Sequence, residues 1–160
     1  MNLKNISGEV IFSAAVETVK DLVTVAVNAK VNLQSANLRS ANLQYADLQY
    51  AKNKEIAEAI TSVLPEGNLV GWKKCRGDII VKVLIPHRAK RSNSTGRKCR
   101  AEYVKILQVF GGEVGISSYD EKTFYRKGEI VKCNTWNDDR WTECGGGIHF
   151  FITRVEAEAY

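Results

Sequence analysis

Three stretches of the chain carry residue types able to bind or transform a ligand. The densest positive charge runs from Pro86 to Arg100, PHRAKRSNSTGRKCR, with no Asp or Glu inside it. Its His87, Arg88, Lys90, Arg91, Arg97, Lys98 and Arg100 supply cationic donors, and its serines, threonine and glycine supply hydroxyls and bare backbone amides, a set that suits phosphate. The spacing matches no phosphate-loop signature, and the structural alternative is a solvated basic loop joining two strands. The second stretch, Cys144-Gly145-Gly146-Gly147-Ile148-His149, places a thiol and an imidazole close in sequence. Cys144 and His149 are the candidates for nucleophilic catalysis, which requires them to meet in space; a histidine within an apolar strand is otherwise a hydrogen-bonded core residue. The third is Trp136-Asn137-Asp138-Asp139-Arg140-Trp141, where Trp136 and Trp141 offer rings for stacking on a base. Its structural alternative is that both rings fill a small β core.

Composition sets the frame for these sites. The chain has 160 residues, 44% hydrophobic and 26% charged, with a net charge of +5. This suits one sizeable core or two small units and excludes a disordered chain. The amino terminus lacks a basic region followed by an apolar run and a cleavage site, and no apolar stretch has the length needed to cross a bilayer. The expectation is a cytoplasmic protein without a membrane partner, with Cys75, Cys99, Cys133 and Cys144 reduced. No Cys-x-x-Cys pair occurs, and neither a metal nor a cofactor is expected.

A β scaffold must position the candidate residues. Leu69 to Cys75 and Ile79 to Ile85 flank Arg76-Gly77-Asp78 and predict a hairpin. Tyr103 to Phe110, Gly128 to Val131 and Ile148 to Ile152 predict further strands, and Thr153 with Glu156 has capping-box spacing for a closing helix. At the amino-terminal end, Glu9 to Phe12 predicts a strand and Ala14 to Lys30 a helix capped by Ser13. Glu55 to Leu64 predicts a second, short helix that ends at Pro65-Glu66-Gly67.

Between those helices leucine returns every fifth residue, at Leu33, Leu38, Leu43 and Leu48, with Ala36, Ala41 and Ala46 two positions before the last three. In a helix each five-residue step would rotate the leucine by about 140° beyond a full turn, and in a strand successive leucines would change faces. The period predicts one coil of a solenoid with leucine and alanine toward its axis. The motifs Ala36-Asn37-Leu38, Ala41-Asn42-Leu43 and Ala46-Asp47-Leu48 resemble the pentapeptide-repeat family, which implies a right-handed β-helix over residues 31–51. One coil cannot bury its own two faces, so stacking on the flanking helices or on a second copy is expected, and with it a homo-oligomer.

The segments Gly71-Trp72-Lys73-Lys74-Cys75, Ile85 to Arg91, Gly96 to Ala101 and Glu143 to Thr153 resemble a carboxy-terminal domain of unknown function that accompanies pentapeptide repeats in phage and other viral proteins. The resemblance implies a viral accessory protein and brings no activity with it. The expected fold class is therefore α+β: a strand and helix, about one coil of pentapeptide-repeat right-handed β-helix, a short helix, then a mainly antiparallel β domain. Residues 1–67 form the helix-capped coil and 68–160 the β domain. The expected function is non-enzymatic: a phage accessory protein, scaffolded by the coil, whose basic β domain binds an anionic, phosphate-bearing ligand and sequesters a nucleotide signal of host defence. One alternative is an enzyme acting on a nucleotide or protein through Cys144 and His149. Another is a protein-interaction or DNA-mimic module, with nucleic acid as the alternative partner; Arg39 set against Asp47 leaves the coil without an acidic stripe.

Overall fold

A computed structural model of the chain describes residues 1–5, 7–33, 36–37, 58–59 and 61–160. They divide into two units, Met1–Ser62 with Ser94–Gly96, and Val63–Asn93 with Arg97–Tyr160.

The first unit opens with an antiparallel hairpin of β1 (Asn2–Lys4) and β2 (Val10–Ser13). The Asn5 side chain closes its turn, accepting from the Ser7 and Glu9 amides at 3.0 and 2.9 Å. Helix α1 (Val19–Asn28) follows and buries Leu22, Val23, Ala26 and Val27. It starts at Val19, and its cap is Thr18, whose hydroxyl accepts from the Asp21 amide at 3.1 Å. Ser13, the expected cap, closes β2 instead. A run of β-branched residues cannot propagate a helix without a satisfied first turn, and only Thr18 has an acid three residues ahead.

The second unit holds a four-stranded antiparallel sheet of order β10-β7-β4-β3, built from β3 (Leu69–Lys74), β4 (Ile80–Ile85), β7 (Tyr103–Phe110) and β10 (Ile130–Lys132). Beside it lie a three-stranded sheet of order β11-β6-β5, from β5 (Arg91–Asn93), β6 (Cys99–Ala101) and β11 (Ile148–Phe150), and a small pair of β8 (Gly115–Ile116) and β9 (Phe124–Tyr125). Each pairing is antiparallel. The β3–β4 turn is a single 3-10 turn at Arg76–Asp78, with Gly77 at φ 66° and Asp78 at φ 58°. Strand β4 is central and its Val81, Val83 and Ile85 are fully buried, while β7 alternates buried Val104 and Ile106 with exposed Lys105. A reciprocal backbone pair, Trp72 with Phe151 at 2.7 Å each way, ties β3 to the end of β11. Helix α2 (Arg154–Ala159) then closes the chain with the expected capping box of Thr153 and Glu156.

The expected fold class is corrected by these elements. The described residues form small antiparallel sheets and two α-helices, and no pentapeptide β-helix coil is among them. Where the start of the repeat is described, Ala36 makes an antiparallel bridge with Asn5, and the Asn37 amide donates to the Lys4 carbonyl at 2.7 Å. A solenoid stacks coil on coil in parallel; here the repeat's first segment pairs antiparallel with the residues that follow β1. Leu33 is buried in this arrangement and Ala36 half-buried. Leu38, Leu43, Leu48, Ala41 and Ala46 lie outside the described residues. So do residues 55–57 and 60 of the expected 55–64 helix, of which Glu58, Ala59 and Thr61 are helical and Ser62, Val63 and Leu64 are not.

Close packing between the sheets generates a test. A Cβ on Gly71 would stand 2.5 Å from Phe150 Cδ2 and 3.1 Å from Ile85 Cδ1, and both neighbours are fully buried. Gly71→Ala is expected to destabilise the second unit by about 1–3 kcal/mol through overpacking, measured as a shift in urea midpoint.

Candidate ligand-binding cleft

The geometry of the cleft begins with Arg100. It occupies the middle of β6, opposite Ser92 of β5 and His149 of β11, and its side chain is 1% exposed. A buried guanidinium must find acceptors. Nη1 donates to the carbonyls of Asn137 and Gly146 at 3.0 Å each, Nη2 donates to that of Asp139 at 2.6 Å, and the guanidinium covers the Trp136 ring. The irregular segment from Asn134 to Gly147 is thereby wrapped around one side chain. Its glycines belong to the same packing: a Cβ on Gly145 would lie 2.9 Å from Arg100 Nη1, and one on Gly146 2.6 Å from the Thr135 carbonyl oxygen. The close approach that the triple glycine permits is to the chain itself.

Most of the basic stretch is engaged internally in a similar way. Arg91 donates to the Gly67 and Pro65 carbonyls at 2.7 Å each. Arg97 pairs with Glu156 at 2.6 Å, and because Glu156 also accepts from Thr153, one carboxylate both caps α2 and docks it. Burial pushes the Glu156 pKa up, but the Arg97 and Thr153 bonds prevail and hold it below the usual carboxylate value. Lys90 pairs with Asp138 on the surface at 3.0 Å. His87 and Arg88 are exposed at the turn after β4, where the His87 amide donates to Asn68. Of the tryptophans, Trp136 lies under Arg100 and bonds Asp138 at 2.8 Å, and Trp141 carries the Arg140 guanidinium. The seven expected cations and two rings are thus spread over several separate contacts, and of the nine it is Lys98 that stands in the wall of the cleft described next.

Two adjoining hollows, of about 190 and 490 Å³, share Lys73, Tyr119, Cys144 and His149 in their walls and make one cleft. The larger adds Lys98 and Tyr160; the smaller adds Gly145 to Gly147 and Asp120. Lys98 Nζ donates to the Tyr160 hydroxyl at 2.7 Å and lies 3.6 Å from Cys144 Sγ. Burial opposes its charge, yet Tyr160 and Cys144 raise its pKa on balance. Lys73 Nζ donates to the His149 carbonyl at 3.3 Å. Among the described residues neither lysine has a carboxylate within ion-pair distance. Asp120, the acid in the wall, is occupied by the Thr123 hydroxyl at 2.6 Å and by the amides of Lys122 and Thr123.

The expected catalytic pair is brought to the same cleft without forming a thiol–imidazole bond. The sulfur of exposed Cys144 faces Lys98, while His149 Nε2 is 3.1 Å from the Gly145 carbonyl, which makes that nitrogen the donor. Burial, then the Lys98 cation, push the His149 pKa down to about 4, so its ring is neutral at pH 7. Cys75 and Cys99 are buried thiols, pushed up to about 11 and about 12 by desolvation. All four cysteines are free, and among the described residues no group of three His, Cys, Asp or Glu side chains could hold a metal ion. No described helix is long and apolar enough to cross a membrane. Lys73 is the residue that motif reading missed; its signal was the two-residue alternation of β3, which sets it on the same side as buried Leu69 and Gly71.

The model of a family of unknown function (DUF5758) matches residues 59–157, nearly the whole of the unit that holds the cleft. No curated protein and no solved structure matches the chain.

Two outcomes test this geometry. Arg100→Lys keeps the charge but loses the planar fork, and is expected to cost about 2–4 kcal/mol of stability in denaturant titration. His149 is depressed in the folded state from an ordinary 6.5 to about 4, so the unfolded chain binds the proton first. Its contribution is complete above pH ~6.5 and is lost as pH falls through about 4. Unfolding free energies measured across that window should fall less steeply in His149→Gln than in the parent.

Proposed function

Because the chain belongs to this family, whose description assigns no activity, we propose a function from the cleft itself: the second unit binds a small anionic ligand bearing phosphate, without transforming it. The observation that carries this reading is the meeting of Lys73 and Lys98 at one cleft wall with no carboxylate among the described residues paired to either. Two ammonium groups held near each other in a partly dry site repel, and an anion bound between them relieves the repulsion and restores the lost solvation. The larger hollow, about 490 Å³, is within the range of small-ligand sites. Tyr119, 97% exposed at its rim, adds an aromatic face for a base or sugar. A nucleotide signal of host defence, bound by a phage protein, is the specific form of this proposal.

The alternative is a thiol enzyme, favoured by exposed Cys144 standing in the cleft wall with its sulfur 3.6 Å from Lys98 Nζ. Calorimetry with inorganic phosphate, cyclic nucleotides and ADP-ribose separates the two. The binding reading expects at least one ligand to bind, Lys98→Ala to weaken it about 10- to 100-fold, and Arg88→Ala and Cys144→Ser to leave it unchanged. Absence of binding across the set would sink the proposal, and ligand turnover abolished by Cys144→Ser would replace it with the enzyme.

A further inference from the structure

The inward positions of β3 are Leu69, Gly71 and Lys73, with buried Cys75 next in the alternation. Lys73 is thus an amine where the strand calls for an apolar residue, and it stands in the wall common to both hollows. Among the described residues its Nζ has one hydrogen-bond acceptor, the His149 carbonyl, and it lies 5.4 Å from the centre of the Tyr125 ring. A fold that needed only packing would be better served here by Met or Leu; an amine facing an open cavity without a counter-ion is what nucleophilic lysine chemistry requires.

We propose that Lys73 is a carbonyl-capturing amine: a small aldehyde or ketone carrying an anionic group docks in the cleft and forms an imine on Nζ. This deepens the anion-binding reading and rests on it for placing the ligand's charge at Lys98. The free amine's lone pair attacks the carbonyl carbon while the π pair moves to oxygen. A proton passes from nitrogen to that oxygen, and the resulting carbinolamine loses its hydroxyl and the second N–H proton as water when the C=N bond forms. One amine and one carbonyl give one imine and one water, and no oxidant or reductant takes part. The step runs through the fraction of Lys73 that is unprotonated, which burial raises most; the Cys75 sulfur opposes this, the Lys98 cation favours it, and Asp120 opposes it. Cys75 remains a neutral thiol at pH 7, and burial, the largest influence, outweighs the Asp120 carboxylate.

The test treats the full chain at neutral pH with glyoxylate, a carboxylate-bearing aldehyde, and sodium cyanoborohydride, which reduces an imine to a stable amine, followed by peptide mass mapping. Lys73 is expected to be labelled several-fold faster than exposed Lys105 of β7, and Lys98→Ala to slow that labelling several-fold more for glyoxylate than for propionaldehyde. Labelling that simply follows surface exposure overturns the inference; if phosphate still binds in calorimetry, the anion-binding reading stands without it. Labelling of Lys73 that ignores Lys98 supports capture and removes the anion-binding reading. Lys73→Arg keeps a cationic donor on β3 but has no nucleophilic amine, and should lose the adduct at this site. Should that variant fail to fold, the selectivity measured in the parent protein still decides.

Discussion

The buried guanidinium of Arg100 is the interaction on which the cleft depends. Its two terminal nitrogens bind three carbonyls from a segment about forty residues away, and its face covers Trp136. Without that charge, the Asn137 and Asp139 carbonyls would lose the donor they have here, and the Gly146 carbonyl would keep only the Asn137 amide at 3.3 Å. Once they are gathered, the glycines pack against Arg100 and Thr135, the chain is delivered into β11, and Cys144 and His149 stand at its two ends. The Nε of the same side chain has no acceptor, so the arrangement is stabilised by three strong bonds and not by complete satisfaction.

The fate of the basic stretch follows from the same physics. A positive side chain near backbone carbonyls or a carboxylate is more stable bonded to them than solvated only when little entropy is lost, and arginine's planar fork meets that condition better than lysine. Arg91, Arg97 and Arg100 accordingly act as structural ties, to a loop, a helix cap and a buried segment. Lysines, with one compact charge on a flexible stem, remain at the margins, and Lys73, Lys74, Lys98 and Lys132 line the open cleft. The residue class that looked best suited to phosphate was the one the fold had most use for.

Much of the second unit was legible in the chain. The hairpin about Arg76-Gly77-Asp78, the strand Tyr103–Phe110, the closing strand after the glycines and the Thr153–Glu156 capping box all follow from short-range rules. Alternation sets which face is buried, and a turn or cap needs residues only three or four apart. The start of α1 was misplaced because two hydroxyl residues competed for the cap, and only the one three residues before an acid completes its bonds. The pentad of leucines misled for a different reason. A period specifies which residues share a side, but a solenoid also needs a neighbouring coil to stack on, and no local pattern supplies one.

By itself, then, the sequence determined the antiparallel strands and their turns, the closing helix, and that a thiol and an imidazole would flank a glycine turn. Tertiary structure alone decided which cations are ties and which are free to meet a ligand, because that depends on carbonyls and carboxylates brought within about 3 Å by distant segments. It also decided that Lys73, unremarked in a Gly-Trp-Lys-Lys-Cys strand, stands with Lys98 in the wall of a cleft. A strand's alternation says that a side chain points inward, and only the packed fold says whether it meets a core or a cavity.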